Sequence, residues 1–293
     1  MKKIVCFGSM NLDYFYKVTH FVRPGETLSA ENCVTGCGGK GLNQSIALAR
    51  AGAKIMHAGK IGKDGEVLRL ALDNAGVDTS LVITTDTAPT GHAIVQVDPS
   101  GENAIIIFGG ANYKITEQEI DTVLKAAEGG FLLLQNEINS LDLIIRKAHE
   151  AGIVIGLNFA PFDPKIAETL PLGLLSYLVL NQTEGAGVAG VEDPKAILIA
   201  LNANYPNCRV ILTLGASGSA FLDEDGMFVT VPAYPAEVVD TTGAGDTFIG
   251  YLFAGLSEGM ELKAAITLAT KAAAIAIGRA GAADSIPLRR DVH

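Results

Sequence analysis

Short runs rich in Val, Ile, Leu and Phe alternate with amphipathic stretches along most of this chain, and that alternation admits few folds. Strands are expected at Ile4–Phe7, Lys54–Ala58, Phe131–Gln135, Ile153–Asn158, Tyr177–Asn181 and Val210–Leu214. Helical patterns fall between them at Asn43–Arg50, Glu66–Ala75, Thr116–Ala127 and Leu141–Ala151, and Gly52, Gly76 and Gly152 supply stop signals. Thr116 followed by Glu119 is a capping-box signature that fixes one helix start. Parallel strands need crossovers and helices make them compactly, so the pattern predicts an α/β fold with a mainly parallel sheet. Two stretches break the alternation. Tyr14–Cys33 and Thr90–Phe108 carry β-type runs without helices, and Asp98-Pro99-Ser100-Gly101 reads as a hairpin turn. Runs such as AIVQV and AIIIF predict a small sheet projecting from the body, with an exposed face that covers a ligand or meets a partner.

Composition narrows the function classes. With 48% hydrophobic and 18% charged residues over 293 positions, the chain can bury one large core and is not disordered. No apolar run reaches the length of a membrane span, and the start MKKIVCFGSMNLD turns polar too soon for a signal peptide, so a cytoplasmic protein without a membrane partner is expected. The cysteines at 6, 33, 37 and 208 form no C-x-x-C pair and are expected as reduced, mostly buried thiols. A formal charge of −10, with no basic cluster beyond Arg289-Arg290, argues against nucleic acid as a partner.

Two glycine clusters carry the chemistry. The first, TGCGGKGLNQ from Thr35 to Gln44, is no Walker loop, because Val34 and Gly41 stand where glycine and Ser/Thr are required. Gly36, Gly38 and Gly41 fit G-x-G-x-x-G with Asp64 roughly 20 residues on, yet the first strand lies earlier, at Ile4–Phe7. A glycine-rich turn into a helix is the plain alternative. The second cluster, VVDTTGAGDTFIGYLFAGL, reads as a strand ending at Asp240, a turn at Gly243-Ala244-Gly245 and a helix from near Asp246. Free amides at such a helix start bind an anion. A carboxylate there either caps the helix or is present to take a proton, since it would otherwise repel a phosphate.

Together, GGKGLNQSIALARAG and DTTGAGDTF resemble the paired signatures of the ribokinase-like carbohydrate kinase family. GSMNLD, GGANYKI, LLLQNE, NQTE, LTLGASG and GRAGAADSIP follow in the family's order, so the likeness spans nearly the whole chain. It implies a doubly wound α/β domain with helices on both faces, formed by residues 1–12, 37–88 and 109–293, and a β-lid of residues 13–36 and 89–108. It also implies an ATP-dependent kinase that transfers phosphate to O5 of D-ribose. Alternatives are a relative acting on another small sugar or a nucleoside, and a catalytically silent sugar-binding regulator.

By the same resemblance, Asp246 is the general base and the Gly243, Ala244 and Gly245 amides stabilise the transferring phosphoryl group. Asn11, Asp13, Gly39, Lys40, Asn43 and Glu137 bind the sugar. Asn181 and Glu184 engage Mg²⁺ through water and the phosphates of MgATP, while Thr213, Gly215, Ser217 and Gly218 form the nucleotide loop. Asp240, Thr242, Ala276, Arg279, Gly281 and Ser285 enclose a monovalent cation, K⁺ by expectation, and the lid pairs two subunits into a homodimer. Tyr251, Ile249 and Thr270 depart from the family's usual small residue, Asn and Asn, and a last helix turn found in relatives is expected to be missing after His293.

Overall fold

The computed structural model describes all 293 residues, Met1–His293. In chain order the elements are β1 (Ile4–Phe7), β2 (Asn11–Lys17), β3 (Asn32–Gly38), α1 (Lys40–Arg50), β4 (Ile55–Gly62), α2 (Glu66–Asn74) and β5 (Asp78–Thr85). They continue with β6 (Gly91–Val97), β7 (Asn103–Phe108), α3 (Glu117–Ala127), β8 (Phe131–Gln135), α4 (Leu141–Glu150), β9 (Val154–Asn158) and the short α5 (Pro164–Ala167). The last part holds β10 (Tyr177–Asn181), α6 (Gln182–Ala189), α7 (Pro194–Asn204), β11 (Arg209–Thr213), β12 (Ser219–Leu222), β13 (Phe228–Val231), α8 (Ala244–Glu258) and α9 (Leu262–Ile277).

A nine-stranded sheet runs in the order β13-β12-β11-β10-β9-β8-β1-β4-β5. It is parallel from β11 to β5, and β12 alone runs against the other strands, pairing antiparallel with both β11 and β13. The alternation of side chains along β1 explains why the strand reads as an unbroken apolar run. Ile4 and Cys6 face a layer built with Leu42, Ile46, Phe248 and Leu252 of α1 and α8. Val5 and Phe7 face the opposite layer with Ile120, Ile144 and Leu201 of α3, α4 and α7. Both faces are therefore covered, as a mainly parallel sheet requires, and the doubly wound α/β expectation holds. Each fully buried Phe or Leu contributes about 1.5–3 kcal/mol from removal of apolar surface. Phe253 shows how tightly the layer is filled: a Cβ on Gly156 of β9 would lie 2.2 Å from its ring.

Strand order reverses at β1, which passes to β4 and β5 on one side while β8 starts the other half. Such a switch point opens a crevice at the carboxyl ends of the strands. Beside that edge, β3-β2-β6-β7 form a separate four-stranded sheet. Asp98 closes its β6–β7 turn by accepting from the amides of Ser100 and Glu102.

Three details differ from the sequence reading. β4 runs on to Gly62, because Gly59 passes beneath the Gly8 carbonyl and Lys60 is buried in an ion pair with Glu119 at 2.7 Å. The stretch before the second glycine cluster is no strand. The Val239 and Asp240 amides donate instead to the Ile277 carbonyl at the end of α9. Cys6 and Cys208 are buried free thiols, but Cys33 is exposed and Cys37 partly so. Those two lie four residues apart on one extended strand, a span of about 13 Å that no disulfide bridges.

Candidate active site

The crevice is built from strand ends. β1 leads into Gly8-Ser9, and α1 starts directly beneath it because Gly41 has no side chain; a Cβ there would meet the Ser9 nitrogen at 2.5 Å. The helix begins after Gly39, whose φ of 94° suits glycine, and has no side-chain cap of its own. Glu137, just past β8, supplies one from another element. Its Oε2 accepts from the Lys40 amide at 3.0 Å and from the Ser9 hydroxyl. An acidic group at a helix N-terminus is favourable there. Burial raises the Glu137 carboxyl above the usual range, opposed by the Lys40 charge and these hydrogen bonds.

Beside it, β2 presents Asn11 and Asp13. Asn11 is buried, and its Oδ1 accepts from Asn112 Nδ2 at 2.8 Å. Its own NH₂ group meets no protein acceptor and is left to donate into the crevice. The Asp13 carboxylate lies over β3 where a Cβ on Gly38 would be 1.9 Å from its Oδ2, so the glycine makes room for the acid. Burial pushes the Asp13 carboxyl up to about 7, and the nearby charge of Glu137 adds to the rise. Burial acts against the Lys40 charge, but Asp246, Glu137 and Glu184 outweigh it and hold the ammonium above its ordinary range. Lys40, expected at the sugar, thus also stands in the field of Glu184 at the other end of the site.

Asp246 lies in the first turn of α8, after Gly243 at φ 75°. Its carboxylate forms no cap. Instead Oδ2 accepts from Asn43 Nδ2 at 3.0 Å and Oδ1 from Gln44 Nε2 at 2.9 Å. The amides of Gly243, Gly245 and Asp246 donate to no protein acceptor, whereas that of Ala244 turns back to the Thr241 carbonyl at 3.3 Å. A carboxylate beside free helix-start amides can take a proton from a nucleophile while the amides face the group being attacked.

On the far side of this turn lies a cavity of about 600 Å³, lined by Thr213, Gly215, Gly218, Pro235, Gly245, Phe248, Thr270 and Ala273 among others. Three of the expected nucleotide-loop residues thus line it. Ser217 does not, and its neighbour Ala216 does. Asn181 and Glu184 form a capping box at the start of α6, each side chain accepting from the other's amide at 2.8 Å. One Glu184 oxygen remains for other contacts, and burial raises its carboxyl.

Five of the six expected cation residues sit on two adjoining loops, and Ala276 lies in the last turn of α9. Asp240 ties them together: Oδ1 accepts from the Thr242 amide and Oδ2 from the Gly281 amide, each at 2.9 Å. These bonds outweigh burial and lower its pKa. The carbonyls of Thr242, Arg279 and Gly281 accept no hydrogen bond. Those of Ala276 and Ser285 are approached by the Arg279 amide at 3.0 Å and guanidinium at 3.5 Å. Tyr251, the large residue within α8, is fully buried and donates its hydroxyl to the Pro287 carbonyl at 2.8 Å.

Sequence reasoning did not single out Gln44, Gln135 or Asn112, although GGKGLNQ, LLLQNE and GGANYKI contain them. A buried amide within an apolar stretch carries no signal of what it will bond.

The chain is 36% identical over 311 residues to the ribokinase of Staphylococcus aureus, covering 99% of this chain and 98% of that one. To the ribokinase of Haemophilus influenzae it is 34% identical over 299 residues, covering 99% and 97%. Among solved structures, Arabidopsis thaliana ribokinase complexed with ribose and ATP superposes with a TM-score of 0.87 at 30% identity, covering 99% and 97% of the two chains. Ribokinase from Cryptococcus neoformans in complex with ADP gives 0.88 at 32% identity, covering 100% and 99%. The family model for pfkB carbohydrate kinases matches residues 1–289, and with a carboxylate at a glycine-turned helix start between a polar crevice and a nucleotide-sized cavity, the chain belongs to the pfkB family of carbohydrate kinases.

Proposed function

We propose that this kinase transfers the γ-phosphoryl group of ATP to O5 of D-ribose, with Asp246 as the base. The observation that carries the reading is the Asp246 carboxylate itself, fixed through both oxygens by Asn43 and Gln44 beside free amides and near enough to Lys40 and Glu137 for its charge to act on both. The sugar lies against those residues with Gly39, Asn43 and Glu137. Asp, Asn and Lys groups meet the paired donors and acceptors of a polyol better than an apolar wall does. The nucleotide occupies the cavity between Thr213 and Thr270, whose lining includes Ala244 and Gly245, so its phosphates meet the start of α8.

As the O5 hydroxyl attacks, Asp246 accepts its proton, which an alcohol near neutral pH does not otherwise lose. The Gly243 and Gly245 amides meet the charge on the transferring group, where fixed dipoles are most effective. The residues present also fit the ions of such a site. No three acidic, His or Cys side chains converge, so Mg²⁺ would be held mainly by phosphate oxygens and water, with Glu184 and Asn181 at the outer edge. Mg²⁺ bound there neutralises phosphate charge. The unpartnered carbonyls of Thr242, Arg279 and Gly281, beside the Asp240 carboxylate, offer the oxygen-only lining that suits K⁺.

The four-stranded sheet forms a lid over the sugar that keeps water from the phosphoryl group. Its outer strand leaves Ile105, Ile106, Ile107 and Phe108 each at least half exposed, and a second copy of the chain covers them in a homodimer. The test is a phosphorylation screen across pentoses, hexoses and nucleosides with MgATP. Ribose is expected to give the highest kcat/KM; a nucleoside or hexose ranking above it would overturn the substrate assignment and leave the reaction class intact.

A further inference from the structure

Gln44 and Gln135 are both 0% exposed, and neither lines the nucleotide cavity. A carboxylate oxygen only accepts hydrogen bonds, so Asp246 Oδ1 requires the Nε2 of Gln44 to face it. That orientation turns Gln44 Oε1 toward β8, where Gln135 Nε2 donates to it at 2.8 Å. Gln44 Nε2 also donates to Asn158 Oδ1, at the end of β9, at 3.0 Å. A flipped Gln44 amide would set its oxygen against two acceptors at once, and the Gln135 donor opposes the flip from the other side. Asn43 pins the second oxygen of Asp246, so the carboxylate cannot rotate about its own bond.

Gln135 carries a cost that makes its presence informative. It ends the apolar run of β8, and its Oε1 is buried without a partner. An apolar side chain of similar size would avoid that penalty. What Gln135 adds is the donor that orients Gln44.

We propose that Gln44, backed by Gln135, is a positioning residue that holds the Asp246 base in register with the sugar hydroxyl, a role that rests on Asp246 being that base. The ladder runs from the sheet through α1 to α8, so it fixes the base relative to the same strand ends that carry the sugar-side groups. A misplacement of about 1 Å costs on the order of 100-fold in rate.

The test measures kcat and both KM values for Gln44→Met, Gln135→Met, Asp246→Asn and the double variant Gln44→Met/Asp246→Asn, with thermal melting to establish that each is folded. Gln44→Met is expected to lower kcat about 10- to 100-fold with both KM values within about threefold, and Gln135→Met to lower it by a smaller factor. In the Asp246→Asn background, Gln44→Met should change kcat by less than about twofold, because the group it positions is gone. Should Gln44→Met not fold, Gln135→Met, which leaves both contacts to the carboxylate in place, enters the same cycle. A folded variant keeping more than about half of kcat, an equal loss in both backgrounds, or an effect confined to KM overturns the proposal. If Asp246→Asn itself keeps its kcat, the base assignment fails; if only the glutamine variant is neutral, the ladder fails and the base stands.

Discussion

Asn43→Ala separates holding the base from binding the sugar. Asn43 is only 7% exposed and Asp246 8%, and their 3.0 Å bond joins a neutral donor to a carboxylate. Hydrogen bonds to charged groups contribute about 1.5–3 kcal/mol, which corresponds to about 10- to 150-fold. Because the partner is the proposed base, that loss should appear in kcat. Asn43 Oδ1 is buried and has no partner in the protein, and on the proposed placement of the sugar a hydroxyl would supply the missing donor. Losing that neutral contact is worth about 0.5–1.5 kcal/mol, or about 2- to 12-fold in the ribose KM. Asn43 does not line the nucleotide cavity, so the ATP KM should stay within about twofold. The assay couples ADP release to NADH oxidation while each substrate is varied in turn, with melting curves to show that the variant is folded. A selective rise in the ATP KM, with kcat and the ribose KM unchanged, would refute the placement of this helix start against the sugar.

Two further predictions concern ions and pH. Replacing Na⁺ by K⁺ at matched ionic strength and saturating MgATP should raise activity if the Asp240 and Gly281 loops enclose a large monovalent cation; equal rates would mean that the loops merely pack together. On the proposed assignment, Asp13, raised from 3.8 to about 7 by burial and by Glu137, accepts from sugar hydroxyls with both oxygens and a full charge only when ionised. Lowering the pH from 8 to 6 should therefore raise the ribose KM about tenfold, and Asp13→Asn should flatten that trend at a uniformly weaker affinity. In stability the sign is the same as for any carboxyl with a raised folded pKa. Its contribution is present below about 3.8 and lost as pH rises toward about 7, so Asp13→Asn should gain melting temperature relative to wild type at pH 8 more than at pH 4. A gain that is larger at pH 4 would show that the acid is not penalised by its site.

The sheet was readable in the sequence because its strands are buried on both faces. Ile4–Phe7, Phe131–Gln135 and Tyr177–Asn181 stand out as apolar runs, and the structure ends them at the same residues. The continuation of β4 to Gly62 is not legible locally, because a lysine within a strand reads as a surface charge until its distant partner Glu119 is known. The supposed strand at Asp240 failed for a related reason. Val238 and Val239 have β-type side chains, yet both are more than 60% exposed and no neighbouring strand accepts them. At the site, an aspartate in the first turn of a helix is an ordinary cap by local rules. Only the approach of Asn43 and Gln44 from a helix some two hundred positions earlier separates the two readings. Glu137 shows the converse, because it caps a helix to which it is not adjacent in sequence. Local pattern gives the elements, whereas the partners of buried polar groups are set by topology.

The most direct test of the account compares wild type with Asp246→Asn on ribose and MgATP, with the product identified by phosphorus NMR and ribose affinity measured by calorimetry. Wild type should give ribose 5-phosphate in step with ADP. The variant should lose about 10²- to 10⁴-fold in kcat while binding ribose nearly as well, since the amide keeps the shape but cannot take the proton. A variant retaining more than about a tenth of wild-type kcat, or a wild-type product phosphorylated at another hydroxyl, would contradict it.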